Sequence, residues 1–157
     1  MYTFDLFHGT YSSHGSFLTT SLHTSGLSVS ECPLILVIED EYLLQADLEQ
    51  ALTDGGFACQ AVYSGEEALR LFMTVPKGHY KGLVTDVSLT GRVNGWDVAR
   101  RLRQKDPLLP IVYVTGHGAE WASQGVPQSI LIDKPFATMQ LVTALSTLLN
   151  FGSPSAM

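Results

Sequence analysis

From residue 34 onward, short apolar runs alternate with segments whose apolar residues recur at helical spacing. This alternation is typical of strand–helix units around a parallel sheet, because each connecting helix packs its apolar face on the sheet. The pattern therefore predicts one α/β domain over residues 31–150, in a chain of 157 residues. Five runs are predicted as strands: Leu34–Ile38, Phe57–Val62, Gly82–Thr85, Ile111–Val114 and Ser129–Ile132.

Four helices are predicted between and after these strands. The second follows the capping pattern Ser64–Glu67, and the third must end before Pro107 because proline cannot continue a helix. The apolar positions that should face the core are Leu44, Leu48, Leu52, Leu69, Phe72, Met73, Val98, Ala99, Leu102, Leu141, Val142, Leu145, Leu148 and Leu149. Residues 115–128 are rich in glycine and proline, so we expect at most a short helical turn near Ala119–Ser123, with the remainder mobile.

The composition argues against two classes of partner. No apolar stretch approaches the roughly 20 residues that cross a bilayer. The net charge of -6 disfavours a surface for duplex nucleic acid, which needs a concentrated excess of Lys and Arg. A basic cluster at residues 100–105 is predicted to be the solvated face of a helix. We therefore expect no membrane association and no direct DNA binding.

The two ends of the chain differ in composition from the predicted domain. Residues 1–30 contain no Lys or Arg and are crowded with Ser, Thr and Gly, which predicts a disordered N-terminal extension. Residues 151–157 are predicted to be a flexible tail. The N-terminus lacks the basic segment and apolar core of a secretory signal, and two cysteines make no disulfide framework. These features predict a cytoplasmic protein.

Charged and polar side chains follow several of the predicted strands. The acidic stretch Glu39–Glu41 follows the first strand, Asp86 the third, Thr115 the fourth, and Lys134 lies just past the fifth. The carboxyl ends of parallel strands meet at one edge of a sheet, so these side chains should form a pocket. Clustered carboxylates repel one another unless a cation lies among them.

Magnesium suits such a pocket because it uses few carboxylates and keeps several waters. Asp40 and Asp86 are the expected direct ligands, with Glu39 acting through water. Asp86 is then the candidate nucleophile, whose oxygen would attack an incoming phosphoryl group. Lys134 and the Thr115 hydroxyl would bind the phosphoryl oxygens as charge develops. Gly116 leaves space for that group or serves as a simple turn glycine, and the two roles are compatible.

Together these motifs resemble the response-regulator receiver domain of two-component signalling, in the CheY-like superfamily. The resemblance covers roughly residues 33–150 and rests on Glu39–Glu41, Asp86, Asn94–Gly95, Thr115 and Lys134–Phe136. It implies a flavodoxin-like parallel sheet of five strands in the order 2-1-3-4-5, with helices on both faces and a shortened or irregular fourth helix. It further implies a phosphoprotein that accepts its phosphoryl group from a histidine kinase or a histidine phosphotransfer protein.

The resemblance also implies roles for individual residues. Glu39 and Asp40 would hold Mg²⁺ with Asp86, and the backbone carbonyl of Ser88 would complete the metal shell. Ser88 and His117 occupy the positions that tune dephosphorylation in such domains, although His117 could equally be a solvated loop residue.

Several positions depart from the family pattern. Leu131 stands at the switch position, where the family usually has an aromatic residue. Thr90 stands where a proline is common, in a loop one residue longer than usual, and we expect neither feature to touch the chemistry directly. Residues 115–118 resemble the FAT GUY group of single-domain receivers. In this group the expected switch is ordering of residues 116–128 around phosphorylated Asp86.

Three other functions compete with this interpretation. A haloacid-dehalogenase-like phosphatase needs a second carboxylate two residues after the nucleophile, where this chain has Ser88. A flavodoxin needs an anion-binding loop after the first strand, and here that loop is acidic. The remaining rival is a pseudo-receiver that lost phosphorylation. Because only seven residues follow the last predicted helix, we expect a single-domain, non-enzymatic regulator that signals by contact with a downstream protein.

Overall fold

The computed structural model describes residues 31–152, so the predicted extension at residues 1–30 and the last five residues of the predicted tail lie outside the described part. Five parallel strands form one sheet in the order β2-β1-β3-β4-β5, which confirms the predicted flavodoxin-like topology. The strands are β1 Leu34–Ile38, β2 Ala58–Val62, β3 Gly82–Thr85, β4 Ile111–Thr115 and β5 Ile130–Asp133.

Helices cover both faces of this sheet. They are α1 Tyr42–Asp54, α2 Gly65–Thr74, α3 Gly95–Lys105, α4 Trp121–Gln124 and α5 Thr138–Gly152. A 3₁₀ turn at Gly118–Glu120 leads into α4, so the fourth helix is as short as the glycine-rich sequence predicts. Helix α5 extends two residues beyond the predicted domain boundary at 150. No helix within residues 31–152 is both long and apolar enough to cross a membrane.

Two apolar clusters hold the helices to the sheet. One cluster joins α2 and α3 to one face, and the other joins α1 and α5 to the opposite face. The prediction that Met73 belongs to the core is wrong, since this residue is 51% exposed. Helix α2 buries Ala68 and Phe72, and the next residue is rotated by about 100° around the helix toward solvent.

The basic cluster on α3 is more than a solvated face, and that prediction is wrong for two of its members. The Arg103 guanidinium donates to the carbonyl oxygens of Leu109 at 2.7 Å and Pro127 at 2.9 Å. The Lys105 ammonium donates to the carbonyls of Phe72 at 2.8 Å and Val75 at 2.6 Å. Lys105 thus binds carbonyl groups at the end of α2 that lack partners within the helix.

Candidate functional site

The carboxyl edge of the sheet gathers charged side chains from three strand ends. Glu39 follows β1, Asp86 follows β3 and Lys134 comes one residue after β5. The Lys134 Nζ lies 2.9 Å from Oε2 of Glu39 and 2.7 Å from Oδ2 of Asp86. The sheet therefore brings together residues that the sequence separates by as many as 95 positions.

Three carboxylates cluster at this edge, and two of them contact the Lys134 ammonium. Glu39, Asp40 and Asp86 each offer an oxygen, and these oxygens lie within 4.8 Å of one another. Glu39 is 1% exposed and Asp86 is 8% exposed. Lys134 cannot neutralise three carboxylates, and oxygen ligands at this spacing fit a hard divalent cation such as Mg²⁺. The residues of the predicted magnesium site thus have the chemistry that such an ion requires.

Burial and hydrogen bonding act differently on these groups. Burial raises the pKa of Glu39, although hydrogen bonds from Lys134 and from the Glu41 amide oppose the rise. For Lys134, burial alone would lower the pKa, but hydrogen bonds to Asp86 and Glu39 outweigh burial and raise it. The ammonium therefore stays charged at neutral pH, while ionised Glu39 is costly to bury. A bound cation would lower that cost.

The loop after β3 fixes the orientation of Asp86. Its Oδ1 accepts a hydrogen bond from the Ser88 amide at 3.1 Å, and its backbone carbonyl accepts one from the Thr85 hydroxyl at 2.7 Å. Helix α3 begins against this loop, where the Gly95 amide donates to the Val87 carbonyl at 3.0 Å. The Asn94 side chain caps the helix by accepting from the Asp97 amide at 2.9 Å. The Asn94–Gly95 motif thus supports the backbone of Asp86.

Gly95 is the tightest point of this support. A Cβ atom at Gly95 would clash with the carbonyl oxygen of Asp86, so any side chain there forces the two backbone segments apart. We expect Gly95→Ala to lower the free energy of unfolding by about 1–3 kcal/mol, as overpacking does in well-packed interiors. Gly116→Ala is the matched control, because a Cβ at Gly116 meets no atom within 4 Å. Urea denaturation measures both, and equal stability of the two variants would contradict this prediction.

Thr115 is the last residue of β4, which pairs with β5. It is fully buried, its carbonyl accepts from the Lys134 amide at 3.0 Å, and its hydroxyl accepts from the His117 amide at 3.2 Å. Within residues 31–152 no hydrogen bond joins the Thr115 side chain to Asp86. Ser88 and His117 are both exposed. Their tuning roles, and the phosphoryl-binding role of Thr115, stay predictions.

The switch position lies beneath the segment that follows β4. Leu131 is half-buried, and a Cβ at Gly118 would lie 2.5 Å from the Cδ2 atom of Leu131. The same segment is held further along, where the Val126 amide donates to the Tyr113 hydroxyl at 3.3 Å. Ordering of this segment upon phosphorylation stays a prediction.

Thr90 has a contact that the sequence did not predict. Its amide donates to Oδ2 of Asp40 at 2.8 Å, and its hydroxyl donates to the same oxygen. These hydrogen bonds lower the pKa of Asp40. The expectation that Thr90 does not touch the chemistry directly stays a prediction, since its contact is with a predicted metal ligand and not with a reacting atom. The sequence did contain an indication of this contact. Threonine has a hydroxyl and a backbone N–H that can donate hydrogen bonds, whereas proline, which is common at this position in similar domains, has neither.

Comparisons with known sequences agree with this geometry. The family model described as the response regulator receiver domain matches residues 35–146. The transcriptional regulatory protein CusR of Escherichia coli K12 is 33% identical over 122 residues, which is 76% of this chain and 52% of CusR. The probable transcriptional regulatory protein SilR of Salmonella typhimurium is 31% identical over 122 residues, with the same coverage. The chain thus spans about half the length of these curated relatives.

Solved structures show the same fold. A response regulator receiver protein from Sinorhizobium medicae matches with 47% identity and a TM-score of 0.73, covering 76% of this chain and 96% of that one. A receiver domain protein from Clostridium thermocellum matches with 25% identity and a TM-score of 0.67, covering 76% and 95%. From its sheet order, its strand-end acidic cluster and these matches, the chain belongs to the response regulator receiver domain family.

Proposed function

We propose that this protein accepts a phosphoryl group on Asp86, with Mg²⁺, from the phosphohistidine of a histidine kinase or a histidine phosphotransfer protein. The observation that carries the proposal is the position of the Asp86 carboxylate. It contacts the Lys134 ammonium at 2.7 Å and shares a cluster of oxygens within 4.8 Å with Glu39 and Asp40. A nucleophilic oxygen, a cation for the phosphoryl charge and a set of metal ligands therefore meet at one point.

In the proposed reaction, a carboxylate oxygen of Asp86 forms a bond to phosphorus while the phosphorus–nitrogen bond of the phosphohistidine breaks, and the leaving imidazole takes up a proton. Lys134 would bind a phosphoryl oxygen, and the Thr115 hydroxyl would bind another. Glu39, Asp40, Asp86 and the carbonyl of Ser88 would hold Mg²⁺, which would neutralise charge on the transferring group.

We propose that the protein is a single-domain response regulator in a cytoplasmic phosphorelay, a signalling domain and not an enzyme. The Sinorhizobium medicae receiver protein, matched over 96% of its length, supports this size. Output would come from ordering of residues 116–128 around phosphorylated Asp86, next to the switch position Leu131, and from contact with a downstream protein. Ser88 and His117 would tune dephosphorylation. We further propose that the protein does not bind DNA directly. CusR and SilR are named transcriptional regulatory proteins and lend this proposal no support, so it rests on the net charge of -6 alone.

Acetyl phosphate tests the proposal without a known kinase. Incubated with acetyl phosphate and MgCl₂, the protein should gain one phosphoryl group, seen by intact-mass spectrometry. The gain should disappear when Mg²⁺ is chelated with EDTA, because ionised Glu39, Asp40 and Asp86 would repel the phosphoryl anion. Absence of any phosphoryl gain with Mg²⁺ would favour the rival function, a pseudo-receiver that binds partners without phosphorylation.

A further inference from the structure

The loop between β3 and α3 reaches across to a metal ligand on another loop. Thr90 lies in this loop, 50 residues from Asp40, and its amide and hydroxyl both donate to Oδ2 of Asp40. The other carboxylate oxygen, Oδ1, accepts neither of these bonds. Two donors on one oxygen restrict rotation of the Asp40 carboxylate and thereby fix the direction in which Oδ1 points.

The loop that carries Thr90 is itself anchored. The Arg92 amide donates to Oε1 of Glu66, in the first turn of α2, at 2.8 Å. Gly91 has a φ of 124°, and a Cβ there would lie 2.8 Å from Oε2 of Glu66. Backbone conformation and a carboxylate on α2 thus fix the loop just after Thr90. Thr90 is therefore a fixed support for Asp40, because the next two residues of its loop are themselves held by Glu66.

We propose that Thr90 is a positioning residue for the magnesium ligand Asp40. This inference rests on the proposed function, since it assigns a role toward the ion that phosphorylation requires. A carboxylate that already points toward the cation loses less conformational freedom when the ion binds. Hydrogen-bond partners of metal ligands act in this way, and their removal typically weakens metal binding by about 10–100-fold.

Thr90→Val tests the hydroxyl bond and leaves the amide bond in place, because valine has nearly the same shape as threonine. We expect isothermal titration of the phosphoryl-free protein with MgCl₂ to show affinity weakened by about 10-fold. Thr90→Ser, which restores the hydroxyl, should bind Mg²⁺ nearly as tightly as the wild type. Thr143→Val is the matched control, since Thr143 is an exposed threonine on α5, and it should bind like the wild type.

The outcomes separate this inference from the proposed function. Wild-type affinity in Thr90→Val, or tighter binding, would overturn the inference, because the hydroxyl would then be dispensable or would compete with the ion. Equal weakening in Thr90→Ser would also overturn it, since the loss would not follow the hydroxyl. If Thr90→Val binds Mg²⁺ normally while the wild type still gains a phosphoryl group, only this inference fails. If the wild type binds no Mg²⁺, the proposed function fails as well.

Discussion

The Asp86→Asn protein is expected to gain no phosphoryl group from acetyl phosphate and Mg²⁺ under conditions in which the wild type does. An amide oxygen carries no negative charge and is a poor nucleophile, so the bond to phosphorus does not form. The substitution keeps the shape of a side chain that is 8% exposed, so the fold should persist. Intact-mass spectrometry of both proteins measures the difference, and the expected effect is complete loss.

A matched control separates loss of the acceptor from loss of a negative charge. Asp47→Asn changes an exposed carboxylate on α1 and should leave phosphoryl gain unchanged. Peptide mapping of the phosphorylated wild type should locate the group on Asp86. A phosphoryl group on the Asp86→Asn protein, mapped to Asp40 or Glu39, would show that the nucleophile had been assigned to the wrong carboxylate of the cluster.

Most of the sheet could be predicted because buried parallel strands are short runs of apolar residues. The strand limits were harder, since pairing as well as hydrophobicity decides them. The fifth strand was predicted at Ser129–Ile132, but β5 runs over Ile130–Asp133, because Asp133 pairs with Thr115 in the neighbouring strand. The site followed from the sheet, since residues just past parallel strands share one edge. That rule placed Lys134 beside Asp86 and Glu39 from sequence alone.

Contacts between loops could not be predicted in the same way. The bond between Thr90 and Asp40 depends on the conformations of two loops, and neither loop has a periodic pattern. Lys105 likewise contacts the end of α2 from another helix, across 30 or more residues, and no local pattern indicates it. The error at Met73 has a different cause, since one residue along a helix turns the side chain by about 100°, which is enough to carry it from the buried stripe to the solvent-exposed surface.

The second large effect is expected from Lys134→Met. This change leaves the carboxylates of Glu39 and Asp86 in a buried site without their shared cation. Removing one partner of a buried ion pair costs about 3–5 kcal/mol. We expect about 3 kcal/mol, at the low end, because the Lys134 side chain remains 22% exposed. Urea denaturation at pH 7 in EDTA measures the loss.

Two further variants test the electrostatic cause. Lys81→Met removes an exposed lysine before β3 and should change stability by no more than about 0.5 kcal/mol. Adding Glu39→Gln to Lys134→Met removes one of the two repelling charges and should recover part of the lost stability. Unchanged stability of Lys134→Met in EDTA would show that the ammonium is not needed to balance the carboxylates.

The difference in unfolding free energy between the wild type and Lys134→Met should depend on pH with a defined sign. The pKa of Lys134 in the folded protein lies above its ordinary value of 10.5, mainly through hydrogen bonds to Asp86 and Glu39 that outweigh burial. Its contribution is therefore complete below that ordinary value and is lost as the pH rises through the folded value. The difference in unfolding free energy between the wild type and Lys134→Met should stay constant from neutral pH to about pH 10 and then become smaller.

Magnesium should reduce the difference in unfolding free energy between the wild type and Lys134→Met at neutral pH. The Lys134 ammonium and a divalent ion would bind the same carboxylates, so removing the ammonium removes a competitor for Glu39 and Asp86. Mg²⁺ should accordingly bind Lys134→Met more tightly than the wild type and add more to its unfolding free energy, since a ligand that binds only the folded state stabilises it by RT ln(1 + [L]/Kd). If Mg²⁺ stabilised both proteins equally, the lysine and the ion would occupy separate sites, and the shared cluster would not be the magnesium site.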